Sequence, residues 1–315
     1  MLKSALATLL ITLAAPLPAE ATYSILAVDP ERGVFGGAVA SCVPLDVVTL
    51  VYGATPTDAR QRGAVLTQSV LLPGANEQAA AALAEGASAE DVLAALIDPA
   101  FDAEFELRQL AVVDANGGLA AFTGTGTYAF AAHRTFEVDG LVASAQGNFL
   151  TGPEVLEAAE QAFGAASNCG IAERLLRALE AAGAEGRGDG RCTPDGGPAL
   201  AATLSLDPPE GAPLRLAASV APGEDPAAVL RAMLEEQAPD ACEPPPDAVG
   251  GAGGGGGEGA APEVDDDAGD GCGVAARAPG SRGASHEALL AALALAGRRG
   301  RGRHRGLGRR PGDQA

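Results

Sequence analysis

Histidine and metal-type cysteine motifs are close to missing from this chain. Its 315 residues hold three histidines, His133, His286 and His304, and five cysteines, no two of them in C-x-x-C spacing. A structural zinc site and a three-histidine catalytic metal site are therefore not expected in the body of the protein, and no cofactor is. The body also carries no G-x-G-x-x-G turn and no P-loop, the two glycine-rich loops that cradle nucleotide phosphates. Positive charge is scarce. Residues 22–276 contain eleven arginines against 38 acids, a net charge of −27. Such a surface repels phosphate backbones and anionic lipid, so nucleic acid is excluded as a partner of the body. The nine arginines between residues 277 and 310 are a separate, basic tail.

Against these absences, the amino-terminal segment is informative. Lys3, an apolar stretch over residues 5–15, the breakers Pro16 and Pro18, and Ala19-Glu20-Ala21 form the charge, hydrophobic core and small-x-small cleavage pattern of a signal peptide, residues 1–21. A cut after Ala21 would make Thr22 the first residue. A free α-amine beside a threonine hydroxyl is the minimal equipment of an N-terminal nucleophile, in which the amine is the base for its own side chain. The competing reading makes Thr22 the polar start of a first strand.

Residues 22–240 read as one globular domain. Strands are predicted over residues 23–28 and 34–41, joined by the turn Asp29-Pro30-Glu31-Arg32-Gly33, and further strands over 45–52 and 63–68. Gly36-Gly37 inside the second strand implies close approach of backbone or ligand. An alanine-rich helix begins near Asn76, and Ser88-Ala89-Glu90-Asp91 resembles a capping box before a second helix. Residues 109–114 and 119–123 around Asn116-Gly117-Gly118 form the clearest hairpin. A short strand follows at 142–146, amphipathic helices at 153–163 and 171–182, a strand pair at 199–206 and 213–220, and a closing helix at 225–237. The order gives an α+β chain, with two antiparallel sheets between helix layers as the economical way to bury both sheet faces.

Residues 241–271 are a linker: Pro244-Pro245-Pro246, a Gly/Ala tract and Asp265-Asp266-Asp267 can bury little. In an exported protein Cys42, Cys169, Cys192 and Cys242 are disulfide candidates, with three connectivities open.

The stretches Thr22-Tyr23-Ser24-Ile25-Leu26-Ala27, Gly37-Ala38-Val39-Ala40-Ser41, Arg108 to Asp114, Ala121-Phe122-Thr123-Gly124, His133, Gln146-Gly147-Asn148-Phe149-Leu150 and Gly188-Asp189-Gly190-Arg191-Cys192 together resemble the bacterial domain-of-unknown-function 1028 family, grouped with N-terminal-nucleophile hydrolase-like folds. The resemblance implies a four-layer αββα sandwich and, by analogy with fold relatives, hydrolysis of an amide. Cytosolic members look like Met-Thr-Phe-Ser-Ile, so methionine removal there would expose the threonine that signal peptidase would expose here.

On that basis Thr22 is the candidate nucleophile. Asn148 and the Gly147 backbone are candidate oxyanion donors, glycine letting backbone approach a substrate. Gln146, His133, Asp189 and Arg191 are candidate substrate contacts, and Arg108 either orients Thr22 or binds a substrate carboxylate. The alternatives are a tight turn at Gln146-Gly147-Asn148, an ion pair for Arg108, an edge position for His133 and a stapled loop for Asp189 and Arg191. Thr123 to Tyr128 departs from the family's cysteine- and tryptophan-bearing segment and so alters a pocket wall.

The end of the chain, residues 272–315, resembles the myxobacterial sorting signal MYXO-CTERM: Gly271-Cys272-Gly273, an apolar run over 289–297, then Arg298, Arg299, Arg301, Arg303 and Arg305. The resemblance implies attachment at the cell surface, with Cys272 the lipidation candidate and this signal the sole membrane contact. The run is nine residues, where a span needs about 20. The expectation is an exported, surface-tethered protein acting on a small-molecule or peptide ligand, as an amide hydrolase or as a non-catalytic binding module. A homo-oligomer is compatible with either.

Overall fold

The structure, a computed structural model, describes residues 22–56, 58–59, 62–237 and 242. The signal-peptide segment, most of the linker, Cys272 and the arginine-rich tail lie outside the described residues.

Ten strands form two antiparallel sheets. The six-stranded sheet runs in the order β10(Leu214–Ser219), β9(Ala201–Asp207), β2(Val34–Ser41), β1(Thr22–Asp29), β8(Leu141–Asn148) and β7(Ala132–Val138). The four-stranded sheet runs β3(Tyr52–Ala54), β4(Gly63–Ser69), β5(Arg108–Asp114) and β6(Leu119–Thr123). Strand parity sorts the side chains. On β1, Tyr23, Ile25 and Ala27 pack against the helices α4(Glu154–Ala165) and α5(Ile171–Gly183), in a cluster that also holds Leu230 and Leu234 of α6(Pro226–Gln237). Leu26 and Val28 turn the other way, to Ala64 and Leu66 of β4 and Ala111 and Val113 of β5, joining the two sheets. The far face of the smaller sheet, Val65, Leu110 and Val112, packs on α2(Ala75–Ala84) and α3(Ala89–Leu96). Each fully buried leucine in these clusters contributes about 1.5–3 kcal/mol.

Local sequence explains most element ends. Ser88 caps α3, its hydroxyl accepting from the Asp91 amide at 3.1 Å. Asp114 closes the β5–β6 hairpin by accepting from the amides of Asn116 and Gly118 at 2.8 and 3.0 Å. Gly36 is approached by backbone, a Cβ there standing 3.1 Å from the Ser205 carbonyl, and both glycines are approached still more closely by side chains. A Cβ at Gly37 would stand 2.5 Å from Tyr52, and one at Gly36 2.7 Å from Leu175.

Three elements differ from the sequence expectation. The segment expected as a strand over 45–52 is instead the short helix α1(Leu45–Val48), with β3 starting at Tyr52. Residues 132–138, not expected as a strand, form β7, an edge strand with mostly exposed side chains. Gln146-Gly147-Asn148 is the last part of β8, so the tight-turn alternative is wrong.

Cysteines pair as Cys42–Cys192 and Cys169–Cys242, which selects one of the three connectivities and fits an oxidising environment. The second bond ties Cys242 back to the domain, so the packed part extends beyond residue 240. Among the described residues no helix is long and apolar enough to cross a membrane.

Candidate active site

At the Thr22 end of β1 the apolar layer between the sheets gives way to hydroxyls and carboxamides. Thr22 stands in register between Ser41 of β2 and Asn148 of β8, and Ser24 opposite Gln146. Parity puts Thr22 and Ser24 on the face of Leu26 and Val28, toward the smaller sheet. All of these polar residues are buried, Thr22 being 1% exposed.

The contacts form one network. The Thr22 hydroxyl donates to Ser41 Oγ at 3.3 Å. Ser24 Oγ donates to Gln68 Oε1 at 2.6 Å. Gln68 Nε2 donates to Gln109 Oε1 at 2.7 Å and to the Thr22 carbonyl at 3.4 Å. Asn148 Nδ2 donates to the same Gln109 oxygen at 3.2 Å. Gln109 Nε2 has Thr123 Oγ1, the Ala132 carbonyl and the Gly147 carbonyl at 3.0, 2.9 and 2.9 Å, so its two protons serve three acceptors.

The side chains of this network are hydroxyls and carboxamides, none of them charged. Fixed dipoles in a buried layer act more strongly than in water. Three carboxamide atoms here have no hydrogen-bond partner among the described residues: Oδ1 of Asn148 and both Oε1 and Nε2 of Gln146.

The network ends at His133 on β7, whose Nδ1 lies 2.9 Å from Thr123 Oγ1. With Thr123 as donor to Nδ1, the imidazole is the neutral tautomer protonated at Nε2. Partial desolvation likewise holds the imidazole pKa below its ordinary 6.5, although one edge of the ring meets solvent.

The remaining predicted residues divide. Asp189, fully buried, accepts from the Cys42 amide at 2.9 Å and from Arg191 Nη2 at 2.8 Å. The Cys42–Cys192 disulfide fastens the same loop one residue from Ser41. Asp189 and Arg191 are thus held to each other beside the cluster and position the end of β2. Arg191 also lies over the Phe149 ring at 5.5 Å, next to Asn148.

Arg108 is elsewhere. Its guanidinium bonds Asp102 at 2.7 and 3.2 Å and the Val70 carbonyl at 2.9 Å, on the helix-facing side of β5. The ion-pair alternative describes it. Gly147 is needed because a Cβ there would meet Leu150 at 2.7 Å; close packing, and not substrate approach, accounts for the glycine.

Sequence reasoning missed Ser24, Ser41, Gln68, Gln109 and Thr123. A signal existed for the glutamines. In Ala64, Leu66, Gln68 and in Gln109, Ala111, Val113 a carboxamide interrupts an otherwise apolar strand face.

The fold and the cluster define an α+β protein of two antiparallel sheets with a buried hydroxyl and carboxamide layer at the start of its central strand. The chain belongs to the family of unknown function DUF1028, whose profile matches residues 22–210. It is similar to the crystal structure of protein SPO2555 from Silicibacter pomeroyi, a DUF1028 protein, at 28% identity and a TM-score of 0.52, over 69% of this chain and 85% of that one. No curated protein matches the chain significantly.

Proposed function

We propose that the protein is an exported N-terminal-threonine amide hydrolase, tethered at the cell surface by its C-terminal segment, with its sheets and helices stacked as the αββα sandwich of N-terminal-nucleophile hydrolases. The observation that carries this is the place of Thr22. It opens the central strand β1 between Ser41 and Asn148 and faces the buried polar layer.

Once Ala21 is removed, the Thr22 α-amine, with an ordinary pKa of about 8, lies in a desolvated setting that favours its neutral, basic form. The Thr22 hydroxyl adds to the amide carbonyl carbon and its proton passes to that amine. The tetrahedral oxyanion takes a hydrogen bond from Asn148 Nδ2. Collapse breaks the C–N bond, the ammonium returns its proton to the departing amine, and water hydrolyses the Thr22 ester. Loss of such an oxyanion donor costs about 2.7–4 kcal/mol.

Peptide mass spectrometry of the secreted protein, followed by labelling with an alkyne-bearing β-lactone, tests this. A free Thr22 terminus that gains the lactone mass is the expected result, with Thr22→Ala unlabelled at unchanged Tm. Asn148→Ala should label about 100- to 1,000-fold more slowly. A different or blocked terminus removes the base and ends the proposal. Thr22 is 1% exposed, as it would also be in a non-catalytic binding module, and a free but unreactive Thr22 would end the hydrolase proposal and leave that alternative.

A further inference from the structure

The opposite face of β4 carries a second feature. Gln68 points to Thr22, while its neighbours Thr67 and Ser69 line a cavity of about 430 Å³. The walls are chiefly apolar, with Val47, Leu50, Val70 and Leu72 among them, and Leu50 is 60% exposed at its side. Among the described residues, Glu77 is the only charged one in the lining.

Two buried polar atoms on the lining residues lack partners among the described residues: Ser69 Oγ and Asn76 Oδ1. Asn76 cannot relieve this by flipping, because its Nδ2 donates to the carbonyls of Leu50 and Val51 at 2.8 and 3.2 Å. Its oxygen therefore requires a donor. Ser69 itself is fully buried and sits at φ +75°, where glycine would be unstrained. The backbone there is held against its preference with a hydroxyl in place.

We propose that this cavity binds a neutral acyl amide. The alkyl chain lies along Val47, Leu50, Val70 and Leu72, the amide N–H donates to Asn76 Oδ1, and the amide C=O accepts from Ser69 Oγ. An acyl carboxylate has no proton for Asn76 and meets Glu77 and an acidic body. An alkylammonium could donate to Asn76 Oδ1 but offers no acceptor to Ser69 Oγ, and its charge would lose hydration in a mostly apolar pocket. Apolar walls with a few convergent polar groups are the usual build of a small-molecule site.

The test is fluorescence of N-phenyl-1-naphthylamine bound to the purified full-length protein, displaced by decanamide, decanoate or decylamine. Decanamide should displace the dye at least tenfold more effectively than the other two. Ser69→Gly, which relieves the positive φ and so keeps the fold, should weaken decanamide about fivefold. Val47→Phe, which fills the cavity, should abolish dye and amide binding at unchanged circular dichroism. Absence of dye binding, equal competition by decanoate or decylamine, or retained binding in Val47→Phe would overturn the proposal. None of these readouts depends on Thr22.

Discussion

Tyr23 follows the candidate nucleophile directly, and strand parity sends its phenol the other way, under α5, where Gly183 leaves it room: a Cβ at Gly183 would stand 2.8 Å from the phenol oxygen. Burial foremost, then the negative charges of Asp225 and Asp189, push the Tyr23 pKa well above 10. The folded state thus keeps a proton that the unfolded chain gives up near pH 10. Stability from this group is complete below about pH 10 and is lost as pH rises beyond it. Urea midpoints between pH 8 and 11 should fall for the wild type and fall less for Tyr23→Phe; parallel curves would refute the assignment. The same parity decided what could be read from the sequence. Thr22, Gln146 and Asn148 share one face, as adjacent strands in register require. Arg108 drew attention because a charge is conspicuous. The chemistry on β5 instead belongs to Gln109, one residue on and on the opposite face, where an uncharged amide gives no motif to recognise.

At the level of elements, legibility followed local chemistry. The Asn116-Gly117-Gly118 hairpin and the Ser88 cap are encoded by residues whose preferred backbone states are local, and both are present. Residues 45–48 hold two valines, and that β-propensity is overridden by a helical turn entered from Pro44. β7 escaped notice because an edge strand with exposed side chains needs no apolar alternation. The glycine pair in β2 implied close approach of backbone or ligand; the Ser205 carbonyl does approach Gly36, but the tightest neighbours, Tyr52 and Leu175, are side chains from opposite sides and from other elements. Gly37→Ala should displace Tyr52 and strain its 2.7 Å bond to Asp207, costing about 1–3 kcal/mol. A lower urea midpoint is the expected result, and Tyr52→Ala in the same chain should recover part of the loss from Gly37→Ala in a double-mutant cycle. Strict additivity would show that the clash is not with Tyr52.

For the molecule as a whole, the order of strands and helices was legible apart from α1 and β7, while sheet order and cysteine pairing were not, because both depend on contacts between residues far apart in the chain. Cys42–Cys192 spans 150 residues and Cys169–Cys242 spans 73. On chain entropy alone, loops of that length place each bond at about 4–5 kcal/mol. Cys42→Ser with Cys192→Ser should lower the denaturation midpoint accordingly, and peptide mapping without reductant should recover these two cross-links; any other pairing would contradict the fold. The second bond also has a mechanical meaning. A load pulling on the carboxyl-terminal side of the domain enters at Cys242, and there it meets a covalent strut to Cys169 in addition to the backbone leading to α6. With both ends of that segment pinned, α6 is enclosed in a closed ring and cannot be peeled from β9 and β10 like the end of a tape. Under the proposed tether, a pull on the tail would pass through the bond between sulfur atoms to Cys169, and the segment between the two cysteines would be spared the load until that bond broke.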